Sequence, residues 1–275
     1  MRQWFLHAML LIGCLCGVGA APLAAVAEQA GIKLLTAGDN APYTAPELPN
    51  GGLITDLVVA AMTEARPPEG HVVHWIDDRS AHLDPLMSNA DFDLAFPWVM
   101  PDCAALPGDA LCTDFLFSDM VLESLTLVFT SRSAPILFAI DEDLEGKRLC
   151  RPRGQLTHDL DRPDRRWISD ARITLEQPGT VKQCFDMLMG GQVDGVAIDE
   201  FVGRAAIRDL GLGAQVVALT ARPLAINAQR VLIHKAHPNA DALLAMINSG
   251  LREIRDNGTA QAITDTHMTR IWAGF

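Results

Sequence analysis

Few residues in this chain are placed to do chemistry. Asp199 ends the apolar run VDGVAID (193–199), and the carboxyl end of a buried strand is where α/β proteins bind ligands. A closed cleft would leave its charge less screened than a surface would. The same position suits an N-cap for a helix starting at Glu200, and the two roles are compatible. A second stretch, CRPRGQLT (150–157), sets Arg151, Arg153, Gln155 and Thr157 around Gly154. Backbone N–H groups at a turn that opens a helix favour an anion, and arginine holds a carboxylate through two parallel hydrogen bonds. Arg153 is preferred because it abuts the turn. The competing reading is a solvated basic patch that also includes Arg162, Arg165 and Arg166. A third stretch, PWVMPDC (97–103), holds Trp98 between two prolines at a strand end. Its indole either walls a cleft and faces a cation or fills a core. No arginine lies between Arg79 and Arg132.

Catalysis has little support. Glu123 and Glu200 do not stand at a spacing that marks an acid–base pair, and no Gly-x-Ser-x-Gly elbow is present. His71 and His74 lack a third ligand, and His234 and His237 read as surface residues at a strand end. No catalytic residue, metal or cofactor is expected.

The first 27 residues read as a secretory leader. Arg2 is the only charge before Glu28, residues 4–20 are almost wholly apolar, and Ala25-Val26-Ala27 is a small-x-small cleavage site. LIGC (11–14) also resembles a lipoprotein box, with only a stub of apolar segment before it. Cleavage after Ala27 would leave 248 of the 275 residues, and the net charge of −12 would become −13 with the loss of Arg2. That length suits one large domain or two lobes with their own cores. So acidic a chain is a poor nucleic-acid binder. Four cysteines follow the leader: Cys103, Cys112, Cys150 and Cys184. An even count in an exported chain favours disulfides. Of the three pairings, Cys103–Cys112, closing a short loop, with Cys150–Cys184 is preferred; free core thiols are the alternative for the second pair.

These residues need elements to position them, and the pattern is alternately strand and helix. Strands are read at 32–38, 71–77, 93–99 and 122–130, with a helix over 51–65. The pattern then restarts: a strand and turn at 146–154, strands at 172–179 and 193–199, a helix over 180–191 and another from Glu200. A returning extended segment (222–235), an amphipathic helix (239–258) and a short helix around AQAITDTHM (260–268) close the chain. No low-complexity linker separates the halves, which argues for two lobes joined by strands.

In this order the motifs resemble extracellular solute-binding protein family 3, the periplasmic polar amino-acid receptors of ABC importers. The resemblance spans nearly the whole chain after the leader. It rests on DNAPYTAPELPNGGLITDLVVAAMTEA, on FDLAFPW followed by FLFSDMVLESLTLVF, on LEGKRLCRPRGQLTHDL, on CFDMLMGGQVDGVAIDE, and on HPNADALLAMINSGLREIRDNGTAQAI. It implies an α/β, two-lobed, hinge-closing periplasmic-binding-protein fold with the ligand cleft between lobes. It divides the chain into a signal peptide (1–27), lobe 1 (28–131 with 229–275) and lobe 2 (132–228). It implies a monomeric periplasmic receptor, not an enzyme, that captures a small polar, amine-bearing ligand and passes it to an ABC permease. An adaptor for a membrane sensor is the alternative, and a dehydratase-like enzyme a more distant one. Asp199 matches the carboxylate that meets the ligand's ammonium, and Tyr43 the aromatic that covers the ligand, with Asn40 nearby as contact or turn residue. Asp56 matches a scaffold position. In one place the chain departs from the pattern: Trp98 replaces a small residue, and Asp102–Cys103 stand where the family carries the arginine that grips a carboxylate. A substitute grip is expected from Arg153, Gln155 and Thr157.

Overall fold

Strict alternation of large apolar side chains builds the first part of the sheet. Ile32 and Leu34, Leu94 and Phe96, and Val231 and Ile233 face one core, while Leu35, Ala95 and Leu232 face another, as a period of two requires. The computed structural model describes Met1 and residues 31–274; the leader and its cleavage site lie outside the described residues.

The elements in chain order are β1 (Ile32–Thr36), α1 (Leu53–Ala65), β2 (His71–Trp75), β3 (Leu94–Val99), α2 (Ala110–Asp114), β4 (Phe115–Phe117) and β5 (Leu122–Ser131). They continue with β6 (Arg148–Cys150), β7 (Thr174–Glu176), α3 (Val181–Met189), β8 (Gly195–Asp199), α4 (Glu200–Asp209), β9 (Val216–Ala218), β10 (Ala225–His234), α5 (Ala240–Asp256) and α6 (Thr259–Ala273). The sheet runs β2-β1-β3-β10-β5-β8-β6-β7, with β4 on β10 and β9 on β5. Two lobes share this path. One packs α1 and α5 on the β1-β3-β10 side; the other surrounds β8, β6 and the far half of β5 with two further cores. The chain passes between them on β5 and β10, which pair antiparallel from Leu122–Gln229 to Thr126–Ala225.

The main elements match the sequence pattern. The differences are short ones, β4, β9 and α2, too brief to show a period; the strand segments expected within 146–154 and 172–179, which shrink to β6 and β7 of three residues each; and α6, which runs well beyond the expected short helix. Both preferred disulfides are formed. Cys103–Cys112 closes its loop and Cys150–Cys184 ties β6 to α3, each with Cα atoms 5.5 Å apart. His237 is not the surface residue expected: its side chain is buried and its Nε2 lies 2.9 Å from Asp93, whose other oxygen accepts from Lys33 N–H. Asp56 is a scaffold residue, joining Asn50 and His267 at 2.9 and 3.0 Å.

Candidate functional site

A cavity of about 410 Å3 lies where the crossing strands meet the end of β3 and the loops after β1, β2 and β6, a volume in the range of small-molecule sites. Its floor follows from strand alternation. Ser124 and Thr126 on β5 and Asn227 and Gln229 on β10 share one face of the antiparallel pair. Asn227 Nδ2 donates to Thr126 Oγ1 and Gln229 Nε2 to Ser124 Oγ, each at 2.9 Å, so the ladder is polar and uncharged. Glu123 falls on the opposite face and is exposed, and Glu200 is bound to Arg204 on α4 at 2.7 Å; neither lines the cavity.

Asp199 leaves β8 at the cavity wall. Its Oδ1 accepts from Phe201 N–H (2.9 Å) and Val202 N–H (3.2 Å), capping α4, while its Oδ2 accepts from the Tyr43 hydroxyl (3.0 Å). Capping and lining the cleft therefore coexist. Burial pushes its carboxyl up to about 6, although Val202 N–H, Tyr43, Phe201 N–H and Ser124 pull it down by hydrogen bonding. No cation pairs with it among the described residues. Burial, and then the neighbouring Asp199, push the Tyr43 phenol well above its ordinary value.

Tyr43 reaches Asp199 because of how α1 begins. No side chain caps that helix; the carbonyls of Pro42 and Tyr43 accept from Leu53 and Ile54 N–H at 3.1 and 3.0 Å. The preceding Gly52 has φ 96°, and a Cβ there would lie 2.6 Å from Tyr43 O, so only glycine permits the approach. Asn40 anchors the turn, accepting from Tyr43 and Thr44 N–H through its carbonyl, and also lines the cavity.

Trp98 lines the cavity through a register shift. Between β10 and β3, Arg230 faces Trp98 and Leu232 faces Ala95; two steps along β10 oppose three along β3. The extra residue turns Trp98 onto the Ala95 face, where it packs partly against the Leu35 cluster and stands 6.4 Å from the His82 ring. Both readings of this tryptophan, wall and core, meet in one side chain.

For the basic turn the structure reverses the preference. Arg153 is exposed and outside the lining, whereas Arg151, 3 % exposed, is part of it. β6 stops at Cys150, so strand geometry does not carry on to Arg153, whose N–H is drawn to Pro178 O at 2.8 Å. Arg151 is committed to the protein: Nε donates to Ala197 O (3.0 Å), Nη1 to Leu156 O and Asp159 Oδ1, and Nη2 to Asp159 Oδ2 (2.9 Å). Burial pushes the Asp159 carboxyl up, and Arg151 more than reverses this, holding it below the usual range. Gln155 lines the cavity and Thr157 does not. Arg165 leaves the expected solvated patch, being buried against Asp141 at 2.8 Å. Arg79 and His158 complete the ionisable lining. Arg79, at the end of the loop after β2, turns toward Asp39 at 3.3 Å, and burial pushes the His158 imidazole down. Neither was singled out from the sequence; Arg79 was legible only as the last arginine before a long gap.

No protein-family model matches this sequence, and no curated protein is significantly similar to it. Solved structures are similar over most of its length. A mutant of ArgBP from T. maritima is 18% identical, with TM-score 0.65, covering 87% of this chain and 96% of that one. A histidine kinase sensor domain with similarity to periplasmic binding proteins is 20% identical, with TM-score 0.66, covering 86% and 95%. The ancestral amino acid-binding protein AncCDT-1, a precursor of cyclohexadienyl dehydratase, is 15% identical, with TM-score 0.63, covering 86% and 94%. At these identities the likeness shows the fold: α/β, two-lobed and periplasmic-binding-protein-like.

Proposed function

We propose that this chain is a periplasmic receptor that captures a small polar, amine-bearing ligand between its lobes. The observation that carries the reading is the hydrogen bond from Tyr43 to Asp199, which joins residues 156 positions apart across the cavity. It puts a carboxylate without a cationic partner where a ligand's ammonium would complete it. β5 and β10 serve as the hinge, because they are the strands that cross between the lobes and their inward side chains form the cleft floor. A ligand touching both walls shifts the equilibrium toward the closed form. Asp199, Tyr43, Trp98, Asn40 and Gln155 are the proposed contacts. Arg151 replaces Arg153 as the arginine at the wall, in a supporting role.

Delivery to an ABC importer is the proposed output. Docking on a membrane sensor is the second reading, supported by the likeness to a histidine kinase sensor domain. The acidic alternatives for an enzyme lose support, since Glu123 and Glu200 lie off the cavity.

A thermal-shift screen of the purified, oxidised protein against amino acids, amines, betaines and simple carboxylates tests the reading. A ligand that binds only the folded state raises Tm once it exceeds its Kd. At least one amine-bearing compound is expected to do so; no shift across the whole panel would count against a receptor.

A further inference from the structure

We propose that the cleft selects a primary amine that carries no carboxylate. This rests on the receptor reading above and specifies its ligand.

The charges lining the cavity leave one gap. Arg151 is paired with Asp159, and Arg79 with Asp39. Among the described residues no cation pairs with Asp199. An ammonium would balance the site, while a zwitterion would bring a carboxylate to walls where the buried Arg151 is already engaged by Asp159 and only Arg79, on one exposed oxygen of Asp39, stands at the rim. Arg151 cannot supply a bidentate grip. Four of its five N–H groups are committed to Ala197, Leu156 and Asp159, and it is too buried to swing away. The end of β3, which offers Pro97, Trp98 and Val99 to the cavity, adds no charge. Leaving a desolvated carboxylate unpaired is costly, and such costs are how sites exclude near relatives of their ligands.

Hydrogen-bonding capacity points the same way. The amide nitrogens of Asn227 and Gln229 are turned onto Thr126 and Ser124. Their carbonyl oxygens accept from no described residue. Asp199 is met by neutral donors only, Phe201 N–H, Val202 N–H and the Tyr43 and Ser124 hydroxyls, so its charge is solvated but not balanced. The floor thus presents two free amide carbonyls beside the Asp199 carboxylate, acceptors that suit the three donors of a primary ammonium, while for an anion it adds only neutral hydroxyl and amide donors. Leu83, Pro97 and Trp98 make an apolar side for the tail.

The test is calorimetric titration of the purified, oxidised protein with matched pairs differing by one carboxylate: 3-methylbutylamine against L-leucine, and 2-phenylethylamine against L-phenylalanine. The expected result is that at least one amine binds and its parent amino acid binds at least on the order of a hundredfold more weakly. An amino acid that binds as tightly as its amine overturns the selection while leaving the receptor reading intact. If neither member of any pair binds but an amino acid, betaine or carboxylate of the wider panel does, the selection is again overturned alone; a panel amine that binds is held to the same hundredfold margin over its carboxylated counterpart. Silence of both sets overturns the selection and the receptor reading together. Asp199→Asn is the companion variant, because asparagine keeps the capping acceptor and removes the charge. It is expected to fold with an undiminished Tm and to lose amine binding at least tenfold; retained affinity overturns the proposal.

Discussion

Asp159 and Asp199 line the same cavity from the same lobe, and they are opposites. Asp159 is buried with both oxygens on the Arg151 guanidinium, and its carboxyl is held low. Asp199 receives only neutral donors, and burial pushes it up to about 6. One carboxylate is completed by a cation of the fold; the other has only neutral donors among the described residues. The contrast teaches that a charge at a cleft wall reveals a ligand site only when its internal partners have been counted. Arg151 looks like a ligand anchor until its donors are assigned.

The largest expected effect comes from breaking the completed pair. Asp159→Ala should destabilise the protein by about 3–5 kcal/mol, since it strands a buried guanidinium; denaturant unfolding measures it, and a loss below about 1 kcal/mol would mean that Arg151 relaxes to solvent. Next comes Asp199→Asn in the absence of ligand. The folded carboxyl of Asp199 is raised from 3.8 to about 6, so its contribution to stability is full below about pH 4 and is lost as pH rises through about 6. Asparagine escapes that loss. The variant should therefore gain up to about 3 kcal/mol over the parent at pH 7.5, and the gain should vanish near pH 4. A stability difference that ignores pH would show that Asp199 is not strained.

Smaller effects sharpen the ligand side. Trp98→Ala should weaken binding by about 1–2 kcal/mol if the indole faces the bound cation or its tail; unchanged affinity with lowered Tm would assign Trp98 wholly to the core. Binding of an amine should weaken roughly tenfold between pH 7.5 and 5, as Asp199 takes up its proton, while binding to Asp199→Asn should be weak and flat with pH. Titrations at four or five pH values would separate the two.

Much of this was legible before any coordinates. Asp199 was picked out by the family resemblance, which a buried strand ending in a carboxylate before a helix supports locally, and the alternation of β1, β3 and β10 depends only on side-chain spacing. The cysteine pairs were readable from count and loop length. Other features were not. Trp98 reaches the cavity through one extra residue in β3, and a bulge leaves no period to detect. Arg151 and Arg153 are chemically the same in sequence; the end of β6 and the position of Asp159 separate them. The ladder of Ser124, Thr126, Asn227 and Gln229 draws on two strands about a hundred residues apart, joined only by register.

By itself, the sequence determined where most of the longer strands and helices lie, that two strand–helix series follow one another, and that an acid ends the second series' buried strand. Those properties depend on neighbours within a few residues, where backbone geometry and burial impose a period. Only the tertiary structure decided which charges are spent and which is left open. Pairing depends on distances between residues far apart in the chain, and a guanidinium buried against Asp159 has the same letter as one that is free.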